Sequence, residues 1–338
     1  MEKQKADRFT TEDVTFRNGR VRLAGTLMKP KSPGPWPAVV FVHGSGPEKR
    51  RGGNPRAPLA MVGYFAERGI AVLTYDKRGV GKSTGDWTRS GFDDLAADGL
   101  AGVRFLRRQS GIRCGAVGVW GASQGGWIAP LMASRSRDVA FIVIVSSPGV
   151  SGIVQDRQRR VHELLGHGFS RTKAEAACAE IQDLFWSGDR PKGDTALRRA
   201  IPRARRKWWW PHIFGWYVNE DRQLLEGLRA CREGALDTHF DPAPILRRVR
   251  CPVLAIYGAK DRMVPVEENE PLLARFLKEG GNRDVTIRVF PKGNHGLRLC
   301  KTGTATEIVQ LWQQKRERYV PGYRKLMVRW IKSRTASH

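Results

Sequence analysis

The order of strand-like and helix-like segments constrains the fold of this chain more than any other feature. Six strand-length runs alternate with stretches long enough for a helix, and they lie at residues 38–42, 70–75, 116–120, 139–145, 253–257 and 285–290. Continuous apolar runs are typical of strands that are buried on both faces of a parallel sheet. Because helix-length segments separate most neighbouring runs, the pattern predicts right-handed βαβ units and a doubly wound α/β fold with a mostly parallel sheet.

Two regions depart from this alternation. Residues 11–28 form two alternating segments around Asn-Gly at 18–19, a dipeptide that strongly indicates a β-hairpin. After about Pro148 the buried strands stop, and the chain becomes rich in charged residues, helix formers and aromatic residues. We therefore predict an α/β core of residues 1–149 and 238–338, with an N-terminal hairpin and an inserted helical cap at 150–237.

The sequence GASQGG at residues 121–126 matches the pattern G-x-S-x-G. It follows the strand-like residues 117–120 and precedes a helical segment, which is the setting that a nucleophile at a strand-to-helix turn requires. Glycines two residues before and after Ser123 allow a tight turn that lifts the hydroxyl above the sheet. The serine would also lie at a helix N-terminus, which favours negative charge. We predict that Ser123 is a nucleophile.

A serine needs a base that is oriented by a third group, and the chain order in such folds is Ser, then Asp or Glu, then His. Asp261 and His295 each follow a late strand, at 253–257 and 285–290 respectively. Both should therefore lie at the same edge of the sheet as Ser123. An isolated Asp or His after a strand is more often a turn residue, but order and placement together favour Asp261 as the acid and His295 as the base.

Acyl transfer also needs hydrogen-bond donors for the oxyanion that forms on the substrate carbonyl. One donor should be the backbone N–H of Gln124, directly after the nucleophile. The loop HGSGP at residues 43–47 follows the first buried strand, and it should supply the second donor from Ser45. The alternative for this loop is an ordinary glycine turn, and His43 is interpreted as structural.

A second glycine-rich loop, RGVGKST, follows the strand at 70–75 and is similar to a phosphate-binding P-loop. The Walker pattern requires a glycine five positions before Gly81, where this chain has Asp76. The sequence therefore argues against a nucleotide site. We expect a tight loop that is held by a charge pair between Asp76 and Arg78.

The net charge of +26 has two interpretations. Attraction to something acidic is one, and a solvated arginine-rich surface is the other, which we favour. Residues 197–210 of the cap read LRRAIPRARRKWWW. They could contact lipid or nucleic acid, but packing of the tryptophans on the roof of the site is favoured, and Trp208, Trp209 and Trp210 are predicted to contact substrate.

Several predictions concern partners and location. The expected partner is a small-molecule ester, without specific nucleic-acid binding and with at most weak contact to anionic surfaces, while the oligomeric state stays open. The charged N-terminus lacks a secretory signal, no run reaches membrane-span length, and the five cysteines form no C-x-x-C pair. These features favour a cytoplasmic protein, and no metal or organic cofactor is predicted.

Four segments together resemble a known family: residues 14–30, 35–47, 70–87 and 118–130. Residues 251–269 and 280–296 resemble its acid and histidine segments. The chain is similar to bacterial α/β-hydrolase esterases related to the dienelactone hydrolase and acyl-peptidase-like branch. The resemblance implies cofactor-free hydrolysis of carboxylic esters. It also implies triad roles for Ser123, Asp261 and His295, and oxyanion roles for Ser45 and Gln124.

The triad does not select the scissile bond, because esters, thioesters and peptides all pass through an acyl-enzyme. Aromatic residues in the cap favour short-to-medium acyl or aryl esters, and a serine peptidase or a thioesterase stays an alternative. A different class is also open: a non-catalytic protein on a hydrolase scaffold that binds nucleic acid or membranes through its charge. The ordered Ser, Asp and His argue against that class, because a binding module has no need of them.

Overall fold

The computed structural model describes residues 8–50, 57–188, 190–215, 221–232 and 239–336. The strands are β1 (Phe9–Asn18), β2 (Val21–Pro30), β3 (Trp36–Val42), β4 (Ala71–Tyr75), β5 (Ile112–Ala122), β6 (Ile142–Val145), β7 (Trp186–Ser187), β8 (Arg190–Pro191), β9 (Val253–Gly258) and β10 (Val285–Phe290). The α-helices are α1 (Ala57–Ala66), α2 (Phe92–Arg107), α3 (Gly125–Arg135), α4 (Gly152–Gly166), α5 (Arg171–Phe185), α6 (Asp194–Ala204), α7 (Trp210–Ile213), α8 (Asp221–Arg232), α9 (Pro242–Leu246), α10 (Val266–Glu279), α11 (Ala305–Gln313) and α12 (Tyr323–Arg334).

Eight strands form one sheet in the order β1-β2-β4-β3-β5-β6-β9-β10. The pairs β1-β2 and β2-β4 are antiparallel, and every pair from β4 to β10 is parallel. The predicted hairpin is present, since Asn18 pairs with Val21 and Gly19 has φ of +55° in the turn. The prediction of a mostly parallel α/β sheet with an N-terminal hairpin is confirmed.

Helices cover both faces of the sheet. Val40 and Leu73 belong to a hydrophobic cluster with side chains of α2, α3, α9 and α10. Their neighbours Val39 and Val72 belong to a second cluster with side chains of α1 and α12. Because successive strand residues point to opposite faces, a strand covered on both sides must be apolar at every position. This two-sided burial explains the uninterrupted apolar runs in the sequence.

Between β6 and α9 the chain leaves the sheet and forms helices α4 to α8. Their buried side chains, among them Leu164, Ile181 and Trp210, make a third hydrophobic cluster. The short antiparallel pair β7-β8 also lies here, where the sequence predicted helices only. The division into core and cap at residues 150–237 stays a prediction, and its boundary at 237 lies outside the described residues.

Some element ends differ from the predicted ones. Strand β6 begins at Ile142, later than the predicted start at residue 139. Helix α1 ends at Ala66, where the sequence predicted residue 68, and Gly69 follows with φ of +78°. Across the part of the chain that the structure describes, no helix combines the length and apolar character needed to span a membrane.

Candidate active site

The loops that carry the predicted site residues all lie at one edge of the sheet. The parallel strands β3, β5, β9 and β10 end there, followed by residues 43–47, Ser123, Asp261 and His295 respectively. Carboxyl ends of parallel strands meet at one edge, which is where open α/β sheets bind their ligands. The topology therefore brings together loops that are far apart in the sequence.

Ser123 is the turn residue between β5 and α3. Its φ is +55°, a left-handed conformation that non-glycine residues adopt rarely and at a cost in free energy. Its backbone N–H donates to the carbonyl of Val145 at 3.0 Å, and its own carbonyl accepts from the N–H of Gly126 at 2.8 Å. These two bonds hold the serine in the strained conformation, at the start of α3.

The glycines of the turn are required by close backbone contacts. A Cβ on Gly121 would clash with the carbonyl group of Gly125, and a Cβ on Gly125 would lie 3.0 Å from the carbonyl oxygens of both Val42 and His43. The turn therefore packs directly against the end of β3. The G-x-S-x-G spacing predicted this tight turn, and the contacts give its physical reason.

Asp261 and His295 form a hydrogen-bonded pair. Nδ1 of His295 lies 2.9 Å from Oδ2 and 3.1 Å from Oδ1 of Asp261. Oδ1 also accepts the backbone N–H groups of Met263 and Val264, at 2.9 and 2.8 Å. Asp261 is 3% exposed, so its carboxylate is fixed by the protein and not by solvent. Because a carboxylate only accepts, Nδ1 carries the proton and Nε2 is left as the basic nitrogen.

Two effects of the surroundings shift the pKa of His295 in opposite directions. Burial lowers the pKa of His295, but the charge of Asp261 and the hydrogen bonds to it raise that pKa, and the net result is a raised pKa. The backbone carbonyl of His295 accepts from Oγ of Ser146 at 2.9 Å. Ser146 therefore fixes the backbone of His295, while Asp261 orients the ring and stabilises its protonated form.

One cavity of about 820 Å³ is lined by Ser45, Ser123 and His295, among other residues. Asp261 contacts His295 directly, whereas the structure has no hydrogen bond between Oγ of Ser123 and His295. Gln124 is 2% exposed and is not among the residues that line the cavity. The predicted acid and base are thus in contact, and the predicted nucleophile shares a cavity with the base.

The backbone N–H groups of Ser45 and Gln124 are unoccupied as donors. Neither N–H donates a hydrogen bond to another group of the described chain. Gln124 is buried, and buried backbone N–H groups nearly always have a partner, so its free N–H directly after Ser123 is unusual, whereas Ser45 is exposed. Within the same described ranges, no group of three His, Cys, Asp or Glu side chains is arranged to hold a metal ion.

Lys77 is a residue of this site that the sequence did not reveal. Its side chain is 2% exposed, and Nζ donates to the carbonyls of Gly44 and Gly46 at 2.6 and 2.7 Å, and to Oε1 of Gln124 at 3.3 Å. Burial lowers the pKa of Lys77 to about 8, although Glu48 opposes the shift. One ammonium group therefore binds the loop that contains Ser45 and the side chain of Gln124.

The charge pair expected between Asp76 and Arg78 does not form. Asp76 instead accepts backbone N–H groups, from Arg50 at 2.8 Å and from Lys82 at 2.9 Å. Arg78 makes a two-pronged contact with Asp98 of α2, at 2.7 and 2.8 Å. The glycine-rich loop is thus closed around Asp76, while Arg78 ties it to the helix. The prediction failed because the true partner, Asp98, lies on a separate element.

The three tryptophans predicted to contact substrate do not line the cavity. Trp209 is fully buried and donates from Nε1 to Glu180 at 2.6 Å, and Trp210 belongs to the same cluster between helices. Trp208 is 39% exposed and packs on Phe169. The favoured interpretation was packing onto the roof of the site, but Trp209 and Trp210 pack within the hydrophobic cluster of helices α4 to α8 and do not line the cavity. Other tryptophans line the cavity: Trp120, Trp127 and Trp186.

Similar proteins in curated collections include esterases. Esterase EstD of Thermotoga maritima is 27% identical over 303 residues, which are 89% of this chain and 63% of EstD. The bifunctional esterase/perhydrolase DCH of Acinetobacter calcoaceticus is 25% identical over 244 residues, 69% of this chain and 79% of that protein. The chain thus spans less than two thirds of EstD and most of DCH.

Solved structures share the fold. An esterase of Pyrococcus furiosus superposes with a TM-score of 0.59 at 17% identity, covering 96% of this chain and 91% of that one. The Pyrococcus horikoshii acylaminoacyl peptidase gives a TM-score of 0.51 at 19% identity, covering 92% of this chain and 41% of that one. Together with the sheet order, these matches confirm the α/β-hydrolase fold that the sequence resembles.

A family profile covers most of the chain. The profile of the X-Pro dipeptidyl-peptidase (S15) family matches residues 18–275, a span that contains Ser123 and Asp261 and ends before His295. It also contains the helices α4 to α8, so the match is not confined to the sheet. On this match, the chain belongs to the X-Pro dipeptidyl-peptidase (S15) family.

Proposed function

We propose that this chain is a serine hydrolase that cleaves carboxylic esters through an acyl-enzyme. Ser123 is the nucleophile, His295 is the base and Asp261 orients the base. The observation that carries the proposal is a serine held at φ of +55° in the same cavity as a histidine whose Nδ1 is bound to a buried carboxylate. Two relatives are named esterases, which supports an ester as the bond that is cleaved.

In the first half of the reaction, Nε2 of His295 takes the proton of the Ser123 hydroxyl as Oγ attacks the substrate carbonyl. Asp261 keeps Nδ1 protonated and stabilises the imidazolium that forms. His295 then gives the proton to the leaving alcohol, and the acyl group stays on Ser123. Water repeats the sequence in the second half and releases the acid. The side chains have to move into contact for this, since Ser123 and His295 are not hydrogen-bonded in the structure.

The oxyanion is bound by the two free backbone N–H groups, of Ser45 and Gln124. These donors lie on different elements, so their separation depends on what connects the elements. Lys77 supplies that connection, because its Nζ contacts Gly44 and Gly46 on one side and the side chain of Gln124 on the other. We assign Lys77 a positioning role: it holds the two donors where charge develops in the transition state.

Helices α4 to α8 act as a cap that shapes the acyl-binding cavity. They have a hydrophobic cluster of their own and also contribute to the cavity wall, through residues such as Ile153 of α4 and Leu228 of α8. We further propose a small-molecule ester as the natural partner and a cytoplasmic location, consistent with five cysteines that are free in the structure.

A second candidate function is peptide cleavage, which the family match favours. The same triad would attack an amide, so only substrate comparison separates the two. The test is hydrolysis of p-nitrophenyl acetate, butyrate and octanoate beside butyryl-CoA and alanyl-prolyl-p-nitroanilide. We expect the esters to have the highest kcat/KM. A clear preference for the anilide would replace the esterase assignment with a peptidase.

The nucleophile is tested with Ser123→Ala on the best substrate. The expected loss is about 10⁴-fold or more in kcat, because a residual rate from binding alone remains. Ser134→Ala on α3 is the matched control, since its hydroxyl bonds only within the helix and full activity is expected. Equal ester hydrolysis by Ser123→Ala and the unaltered protein would exclude Ser123 as the nucleophile.

A further inference from the structure

Helix α4 places a group of charges on the wall of the cavity. Asp156, Arg159 and Arg160 lie on consecutive turns and all line the cavity. Arg159 contacts Oδ1 of Asp156 through Nε at 3.2 Å and Nη2 at 2.9 Å. Arg160 contacts Oδ2 through Nη2. One carboxylate thus stands between two guanidinium groups, which leaves an excess of one positive charge.

Arg160 is 7% exposed, and its Nε is buried without any hydrogen-bond partner. The same is true of Nε1 of Trp186, in a side chain that is 5% exposed. Both residues line the cavity. Buried N–H groups without acceptors are rare in folded proteins, and a charged donor without one is especially costly. Trp120, which also lines the cavity, has a third such donor in Nε1, so the described protein leaves several polar groups of the lining residues unsatisfied.

The neighbours of Arg160 do not neutralise the excess charge. Besides Asp156 and Arg159, the groups that act on it are the thiols of Cys178 and Cys231. Burial raises the pKa of both thiols, in the case of Cys231 to about 12, so they stay uncharged at neutral pH. Within the described residues around Arg160, positive charge therefore exceeds negative charge, and an anion is the favoured occupant.

We infer that the cap side of the cavity binds a carboxylate group of the substrate through Arg160 and Arg159, with Trp186 as a further donor of the cavity lining. The preferred substrates are then esters with a second, ionised carboxyl group, such as half-esters of dicarboxylic acids. A guanidinium is suited to this task because its planar donors match the two oxygens of a carboxylate. The inference rests on the proposed function, since Ser123 must cleave the ester at the other end.

The experiment compares two esters of the same shape. Monoethyl adipate carries a terminal carboxylate, and in ethyl 6-methylheptanoate two methyl groups replace the two carboxylate oxygens. Hydrolysis is followed by acid release at neutral pH, with monoethyl succinate and monoethyl suberate added to vary the distance between the groups. We expect kcat/KM for the best half-ester to exceed that for its neutral counterpart by about tenfold or more.

Three variants locate the anion site. Arg160→Met should remove most of the preference, about tenfold, while Arg159 and Asp156 remain as a neutral pair. Trp186→Phe keeps the ring and removes one N–H, so it should lower the preference a few-fold even if Arg160→Met does not fold. Asp156→Asn frees both arginines and should raise the preference. Arg171→Met is the control, because Arg171 pairs with Glu175 on α5 and does not line the cavity.

The outcomes distinguish a failure of the carboxylate site from a failure of the proposed function. Hydrolysis of both esters at equal kcat/KM would overturn the carboxylate site and leave the esterase proposal intact. A preference that Arg160→Met and Arg171→Met change equally would also overturn it, because the effect would then be general electrostatics. If the protein hydrolyses neither of these esters and none of the p-nitrophenyl esters, both the proposed function and the inference are overturned. Opposite shifts in Arg160→Met and Asp156→Asn would establish the site.

Discussion

The carboxyl edge of the sheet and helices α4 to α8, the proposed cap, hold their polar groups in different ways. At the edge, backbone groups fix the residues of the proposed triad: Ser123 bonds to Val145, and Asp261 accepts two backbone N–H groups. In the cap, side chains fix one another, as Asp156 does with Arg160 and Glu180 does with Trp209. Backbone hydrogen bonds thus fix the geometry of the proposed reaction. Contacts between side chains fix the shape and the charge of the cavity.

This difference has a consequence for substitutions. A backbone anchor survives most changes of side chain, so the edge can keep one reaction geometry in many sequences. Side-chain pairs in the proposed cap can be exchanged one by one, which alters the cavity without moving the proposed triad residues. We therefore expect changes at the edge to affect chemistry by orders of magnitude, and changes in the cap to affect preference and stability by smaller amounts.

The largest effect is expected at the edge for Asp261→Asn. The Asn oxygen can still accept the N–H groups of Met263 and Val264, so the fold should persist. Its amide would face Nδ1 of His295 with a donor, which favours the wrong tautomer. We expect kcat/KM to fall by about 10³–10⁴-fold. Asp284→Asn is the control, since Asp284 pairs with Arg334 at the surface.

The same variant has a pH signature. Only neutral His295 can act as a base, so activity is lost as the pH falls through its pKa, which is raised in the protein. Without the carboxylate charge, burial dominates and lowers that pKa. The acidic limb of the kcat/KM profile should therefore move to lower pH in Asp261→Asn. An unchanged limb would mean that another group controls it.

The second prediction tests whether the backbone of the turn is as constrained as its contacts indicate. Gly121→Ala would push a Cβ against the carbonyl group of Gly125. We expect the free energy of unfolding to fall by about 3 kcal/mol, measured by urea denaturation. Gly115→Ala on the same strand is the control, because its Cβ would meet no atom within 4 Å. Similar losses in the two variants would contradict a special role for the turn.

The residues of the edge were predictable because their signals are local. A strand, a glycine and a serine at fixed spacing specify the turn at Ser123, and Asp261 and His295 follow strands of their own. Parallel strands then bring these loops together without further information in the sequence. The fold class was predictable for the same reason, since Val39, Val40 and their neighbours are buried on both faces.

Lys77, Arg160 and Trp186 were not predictable on these grounds. The three partners of Lys77 lie 31 to 47 residues away, and a lysine beside Asp76 and Arg78 reads as part of a charged loop. Arg160 differs from other cap arginines only in what surrounds it. Its signal is a missing hydrogen bond in a buried place, which appears only once helices α4, α5 and α8 are packed.

A substitution of Lys77 tests a point at which the carboxyl edge of the sheet is held by a side chain. Lys77→Met keeps the length of the side chain and removes the ammonium that joins the proposed oxyanion loop to Gln124. We expect kcat to fall about tenfold to hundredfold with KM little changed, because the donors matter most in the transition state. Lys82→Met, an exposed lysine of the same loop, is the control. A rise in KM alone would assign Lys77 to substrate binding.

The smallest effect is expected in the cap, for Trp209→Phe. Trp209 is fully buried, and its Nε1 donates to Oε2 of Glu180, which also pairs with Lys207. Phenylalanine keeps an aromatic ring but removes the donor, and Glu180 retains its lysine partner. We expect a loss of about 1 kcal/mol in the free energy of unfolding, with ester hydrolysis unchanged because Trp209 does not line the cavity. A change in acyl-chain preference would instead mean that the interior of the cap and the cavity wall are coupled. The buried interior of the cap would then help to determine substrate preference.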